Sequence, residues 1–262
     1  MAGIGKVNPT DYLSRIGVDG RDVRPDAEGL RLLHRQHLLS VPFENLDIHW
    51  QRPIILETDK FYTKIVEERR GGFCYELNGL FAVLLQAVGF RTRTVSARVF
   101  GGERGFSPDL AHAAIIVTIG ELEYLADIGF GDFTAEPLRV VPDIEQQDRE
   151  GEFMIRRGDY GWLEVAKKTD NDWLPQYMFE PSGRDLSDFA PMCDFQQYSP
   201  DSHFTKGKVC SLMTAEGRKT LTDQKFAVTT PGAKTETAVK SDEEFEAILF
   251  REFNIRQLTQ SI

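Results

Sequence analysis

Cys74 stands in the stretch RRGGFCYELNG, residues 69 to 79, behind two arginines and two glycines and at the head of an apolar-faced helix. Three chemistries are open to it: a buried thiol acting as a small hydrophobe, a metal ligand, or a nucleophile. Its surroundings favour the last. A thiol on the first turn of a helix meets unpaired N–H groups and the positive end of the helix dipole, both of which favour the thiolate. Gly71 and Gly72 let the backbone approach closely and bend sharply, which a thiol with only a packing role does not require. A thiolate nucleophile still needs a base.

The sequence offers five histidines. His34 and His37 lie three apart on an early helix, a spacing that suits a metal ion, but no nearby cysteine or carboxylate pair completes a site, so no metal is expected. His49, in LDIHW, and His203, in DSHF, read as loop residues. His112 opens the strand AHAAIIVTI, and the next strand, ELEYLADIG, returns through a tight connection to Asp127. With Gly120 and Glu121 as the two turn residues, His112 faces Gly129 and Ala114 faces Asp127. Residues two apart share a face, so His112 and Asp127 become diagonal neighbours with Cβ atoms roughly 7 to 8 Å apart or less. A one-residue slip would put them on opposite faces. A buried aspartate needs a partner, and Cys74, His112 and Asp127 together have the logic of nucleophile, base and orienting carboxylate.

The elements that must hold these residues fall into three units. Residues 1–89 carry helix punctuation: NPTDYLSRI and RPDAEGLRLLHRQHL each start at Pro or Asp, a third helix begins near Thr58 and Asp59, and a fourth opens at Cys74. In the fourth, Leu77, Leu80, Phe81, Leu84, Leu85 and Val88 recur at spacings of three and four, and Gly89 stops it. Residues 90–190 change to short alternating segments separated by turns such as GGERG, RRGDYG and TDND, the pattern of an antiparallel sheet or barrel. Residues 191–262 read as strands, KVCSLMT, RKTLT and KFAVTT, followed by the helix SDEEFEAILFREF, where Ser241 and Glu244 form a capping-box pattern. There is no repeat, low-complexity tract or long linker.

Composition limits the partners. The 262 residues carry 31 basic against 41 acidic side chains, a formal charge of -10, which disfavours nucleic acid or an anionic membrane as the main partner. No segment approaches the roughly 20 apolar residues of a membrane span, and the N-terminus lacks an apolar signal run, so a soluble, cytoplasmic protein is expected. The three cysteines are too scattered for a disulfide framework or a paired zinc site. Cys193 and Cys210 read as structural thiols.

RRGGFCYELNGLF, followed by AHAAIIV and LADIGFG and preceded by VPFENLDIH, closely resembles the arylamine N-acetyltransferases over at least residues 41 to 133. The resemblance implies an α+β fold: an N-terminal helical bundle, a central antiparallel β-barrel and a C-terminal α/β lid, with a papain-like arrangement of Cys, His and Asp. It implies transfer of an acetyl group from the co-substrate acetyl-coenzyme A, through an acetyl-cysteine thioester, to an arylamine, arylhydrazine or N-hydroxyarylamine, with no tightly bound cofactor. Gly129, Phe130 and Gly131 match the family's glycine loop, which contacts coenzyme A, and the resemblance implies Phe204 of the lid as a further coenzyme contact. Phe43, Val99, Phe130 and Phe204 match positions lining the acceptor pocket, and Glu44 and Arg70 match a charged pair behind the nucleophile. The segment GGERGFSPDL before His112 has no residue-by-residue match. A transglutaminase-like or papain-like cysteine hydrolase shares the order of the triad, and a noncatalytic binding protein of the same fold is a further alternative.

Overall fold

Helix caps set the N-terminal unit. In the computed structural model, which describes residues 7–170 and 172–257, α1 (Pro9–Arg15) starts with proline inside its first turn and Asn8 capping Thr10. Asp26 caps α2 (Ala27–Ser40) by accepting from Gly29 N at 2.9 Å. A two-residue strand, β1 (Phe43–Glu44), and a single turn, α3 (Leu46–His49), precede α4 (Thr58–Tyr62), which widens into a π-helical turn, Thr63–Glu67. α5 (Cys74–Ala87) follows, with Leu77, Leu80, Phe81, Leu84 and Leu85 fully buried, and the chain leaves it through Gly89 at φ +99°.

The central unit is a nearly closed antiparallel barrel. Its strands are β2 (Arg91–Val99), β3 (His112–Ile119), β4 (Leu122–Ala126), β5 (Leu138–Arg139), β6 (Glu145–Asp148), β7 (Gly151–Arg157), β8 (Leu163–Lys168) and β9 (Trp173–Gly183). They are ordered β5-β4-β3-β2-β9-β8-β7-β6. The gap between the edge strands β5 and β6 is spanned by the Gln146 side chain, whose Oε1 accepts from Arg139 N at 2.7 Å and whose Nε2 donates to Arg139 O at 2.9 Å. Gly120, at φ +60°, takes the first place of the β3–β4 turn, where a type II′ turn wants glycine. Ile119 therefore faces Leu122, and the ladder runs to Ile115 opposite Ala126, the register expected from the sequence. β3 is buried on both sides: Ile115 and Val117 join the helical core, while Ala114 and Ile116 join Leu125 inside the barrel. His112 has the parity of Ala114, and Asp127 that of Leu125.

α6 (Ala190–Tyr198), which the sequence pattern did not reveal, leads into β10 (Val209–Met213), β11 (Arg218–Thr222), β12 (Lys225–Thr230), β13 (Ala233–Ala238) and α7 (Asp242–Phe253). β1 completes this second sheet by pairing with β10, so a piece of the N-terminal unit is an edge strand of the C-terminal one. Phe245, Ile248, Leu249 and Phe253 of α7 cover Cys210 and Leu221. The cap of α7 differs from a reciprocal box: Ser241 Oγ accepts from Glu244 N, but the Glu244 carboxylate turns to Lys240 N. No helix among the described residues is long and apolar enough to cross a membrane.

Candidate active site

The turn before Cys74 is built against β1. Glu44 N bonds to Gly72 O at 2.9 Å and Gly72 N to Pro42 O at 3.3 Å. A Cβ on Gly71 would lie 2.0 Å from Pro42 O, so only glycine allows this approach. Cys74 then occupies the first turn of α5, and Glu76 accepts the N–H of Phe73 at 3.1 Å. Behind the turn lies a buried charge network. Arg70 bonds to Glu44 at 2.6 Å and Asp47 at 2.5 Å, and Lys64 to Glu76 and Asp47 at 2.9 Å each. Burial works against charge on Lys64 and Arg70, but the surrounding carboxylates outweigh it and hold both cations protonated. The expected Glu44–Arg70 pair is therefore one edge of a five-residue cluster, and Asp47, Lys64 and Glu76 are its members that the sequence reading missed.

His112 and Asp127 meet as the register requires, with Nε2 2.7 Å from Oδ2. The other carboxylate oxygen accepts from Asn78 Nδ2 at 2.8 Å and Gly129 N at 3.0 Å. Burial by itself would raise the Asp127 carboxyl, but His112 and these hydrogen bonds outweigh it and hold the group below its usual range. Asn78 also donates to Ala113 O at 2.6 Å and accepts from Ile128 N at 3.0 Å, so one amide ties α5 to both strands of the hairpin. It lies four residues after Cys74, on the same helix face, and that spacing was the available signal. His34 closes the back of the site: Nδ1 lies 3.0 Å from Ala135 O, and Nε2 accepts from Asp127 N at 3.3 Å. Burial pushes its pKa down, which keeps the ring neutral and able to accept. His37 meets Tyr12 Oη at 2.8 Å, and His49, which ends α3 rather than lying in a loop, contacts Phe204 O at 3.0 Å.

With Nε2 committed to Asp127, Nδ1 is the ring nitrogen left to His112 for taking a proton. Burial pushes the Cys74 thiol up, and backbone hydrogen bonding at Ala113 and Tyr75 acts against it. Cys74 and His112 share the wall of a cavity of about 700 Å³. Phe43, Val99, Gly129, Phe130 and Phe204 line the same space, whereas Gly131 does not; it lies just beyond, at φ +98°. The Phe130 ring sits 5.2 Å from the imidazole and 5.0 Å from Tyr177, and Phe43 sits 6.2 Å from Phe204. Residues 99–108 form one side, so the unmatched segment GGERGFSP borders the cavity. The exposed cations Arg104 and Lys206 face it too, beside Asp201, while partial burial and these two cations push the pKa of the neighbouring His203 down and favour its neutral ring.

A family model described as N-acetyltransferase matches residues 26–261. The arylamine N-acetyltransferase pineal gland isozyme NAT-10 of Gallus gallus is 32% identical, covering 95% of this chain and 94% of its own length. The solved arylamine N-acetyltransferase from Salmonella typhimurium superposes with a TM-score of 0.90 at 27% identity, covering 97% of this chain and 94% of that one. The Mycobacterium marinum arylamine N-acetyltransferase, solved in complex with CoA, gives a TM-score of 0.87 at 28% identity over 95% and 93% of the two chains.

Proposed function

The chain belongs to the arylamine N-acetyltransferase family, and from that premise we propose that it carries acetyl groups from acetyl-coenzyme A to aromatic amines or hydrazines through Cys74. In the first half-reaction His112 Nδ1 takes the thiol proton, and the thiolate attacks the acetyl carbon. The tetrahedral oxyanion meets the N–H groups of the first turn of α5. The carbon–sulfur bond to coenzyme A breaks, and the departing thiolate recovers the proton from the imidazolium. One thioester has replaced another, so the step is nearly isoenergetic. In the second half-reaction the amine nitrogen attacks acetyl-Cys74, His112 accepts the proton the nitrogen sheds, and the Cys74 sulfur leaves. Coenzyme A departs before the amine reacts, which makes the kinetics ping-pong.

Asp127 holds the imidazole by Nε2 and stabilises its cation. Gly129 permits this packing, since a Cβ there would lie 2.8 Å from Cys74 Cα. Phe43, Val99, Phe130 and Phe204 offer an apolar slot for the acceptor ring, and Arg104 and Lys206 offer charge to the phosphates of the donor. Three free thiols accord with a cytoplasmic setting.

The observation that carries this reading is the 2.7 Å His112–Asp127 bond on the wall of the cavity that Cys74 also lines. The test is intact-mass measurement after incubation with acetyl-coenzyme A. A single acetyl adduct should appear, disappear when an arylamine is added, and never form on Cys74→Ser. No adduct, together with cleavage of an amide substrate, would move the protein to the cysteine hydrolases.

A further inference from the structure

His112 is the first residue of β3, and on its N-terminal side the chain has no ladder to lean on. Residues 100–111 are a loop with one 3-10 turn and one isolated bridge, Phe100 to Phe106. What fixes the imidazole from that side is the backbone of Leu110 and Ala111. Leu110 is left-handed, at φ +65°. For a leucine this conformation is strained, and it persists only where the surroundings over-determine it.

The surroundings do so from three directions. From β2, Ser96 Oγ accepts from Leu110 N at 2.8 Å and donates to Asp109 Oδ1 at 2.5 Å. From α5, the phenol of Tyr75 donates to Leu110 O at 2.7 Å. From α6, Gln196 Nε2 donates to Ala111 O at 2.7 Å. Tyr75 directly follows Cys74 in the chain, and its ring is locked against Phe73 at 5.1 Å and Phe189 at 5.4 Å. The residue next to the thiol thus grips the backbone two residues before the imidazole. Gln196 holds the backbone one residue before the imidazole from a helix of the C-terminal unit, and among the described residues its Oε1 is buried without a partner. A buried amide keeping one such unmet oxygen is a cost that packing alone does not explain.

We propose that Tyr75 and Gln196 are positioning residues: by holding the carbonyls of Leu110 and Ala111 they set His112 Nδ1 toward the Cys74 thiol. The proposal rests on reading Cys74 and His112 as nucleophile and base. Neither residue touches the reacting atoms in this role. The titratable groups around the pair are Asp127 on Nε2, His34 behind it on Asp127 N, Tyr177 against the imidazole ring at 5.4 Å, Cys193 in the apolar cluster with Cys74, and Tyr75 itself, whose phenol burial pushes up and keeps neutral, so that its removal takes away no charge. The two substitutions below leave the other four in place.

The experiment compares unaltered protein with Tyr75→Phe, which keeps the ring, and Gln196→Met, which keeps the length and shape. The rate of Cys74 alkylation by iodoacetamide is followed from pH 5 to 9, beside kcat and KM for acetyl-coenzyme A. Each variant should label Cys74 about tenfold more slowly at pH 6 and recover toward pH 9, with kcat down by about tenfold and KM unchanged. Should the unaltered protein label Cys74 no faster than Cys193 or Cys210, the reading beneath the proposal is wrong and the proposal goes with it. Should Cys74 be fast in the unaltered protein and its pH profile stay the same in both variants, the positioning role alone is overturned. A fall in melting temperature without a change in that profile counts as the second outcome.

Discussion

Asp127→Asn tests the tautomer argument without changing the shape of the site. An asparagine oxygen at the Oδ1 position can still accept from Asn78 Nδ2 and Gly129 N, now 2.8 and 3.0 Å away. Its NH₂ must then face His112 Nε2, where a carboxylate oxygen stands at 2.7 Å. To accept that donor, Nε2 gives up its proton, and the ring carries its hydrogen on Nδ1, the nitrogen that should receive the thiol proton. The loss expected for a triad with the wrong tautomer is about 10³ to 10⁴ in kcat, or roughly 4 to 5.5 kcal/mol of transition-state stabilisation. Labelling of Cys74 should fall to that of a lone buried thiol, slow at pH 7 and rising steeply with alkali. The ionised Asp127 also leaves a stability signature. Because the folded-state pKa of Asp127 is depressed, its contribution is full above the unfolded value of about 4 and is lost as pH falls through the folded value. The asparagine variant should therefore lose less stability than the unaltered protein on acidification below about pH 4. Single-turnover acetylation and acid melting curves measure the two effects. A variant retaining kcat within tenfold would refute the reasoning.

Arg70→Met removes one of the two buried cations from a cluster of three buried carboxylates, leaving Lys64 and the half-buried Arg52 at 3.7 Å from Asp47, and should cost about 3 to 5 kcal/mol. At this chain length the melting temperature should drop by roughly 6 to 20 °C; a shift under 3 °C would mean that the cluster does not brace the turn. Gly71→Ala drives a Cβ to 2.0 Å from Pro42 O, so the turn must move. Loss of Cys74 labelling and a lowered melting temperature are expected, and an alanine variant with both unchanged would contradict the geometry. Arg104→Ala with Lys206→Ala should raise KM for acetyl-coenzyme A about tenfold and leave turnover of p-nitrophenyl acetate, a donor without phosphates, unaltered. Equal effects on both donors would move these cations away from phosphate recognition.

What the sequence made legible depended on periodicity and short-range chemistry. The hairpin could be read because Gly120 suits only certain turns and because β3 and β4 have a period of two, so parity alone put His112 and Asp127 on one side. The start of α5 could be read from apolar spacing after Cys74. Asp47, Lys64 and Glu76 could not: each is a charged residue in a stretch that looks solvated, and only the crossing of three segments buries them together. α6 hid because Pro191, Asp194 and two glutamines dilute its apolar pattern, although Gln196 and Gln197 are themselves buried. β13 hid for the opposite reason, being exposed along its whole length and held by backbone pairing to β12. β1 is two residues long and exists because β10 lies beside it.

A thiol pushed upward by burial looks like a poor nucleophile, yet the triad's charge balance resolves the conflict. The burial penalty applies to a Cys74 that loses its proton to bulk water and leaves a new net charge behind. Transfer to His112 creates no net charge. With Asp127 ionised, the three groups carry one negative charge before the transfer and one after it, now spread as an anion on each side of a central cation. The apolar surroundings contributed by Phe73, Phe189 and Phe204 therefore penalise the isolated thiolate but strengthen its attraction to the imidazolium. In the proposed mechanism they would also keep water from competing with the amine for acetyl-Cys74. Nucleophilicity in this site is thus a property of the pair: alkylation of Cys74 should stay nearly flat from pH 6 to 8 while His112 is present. With His112→Ala it should collapse to the steep, alkaline-only profile of an isolated buried thiol, and a flat profile in that variant would show that something other than the imidazole holds the proton.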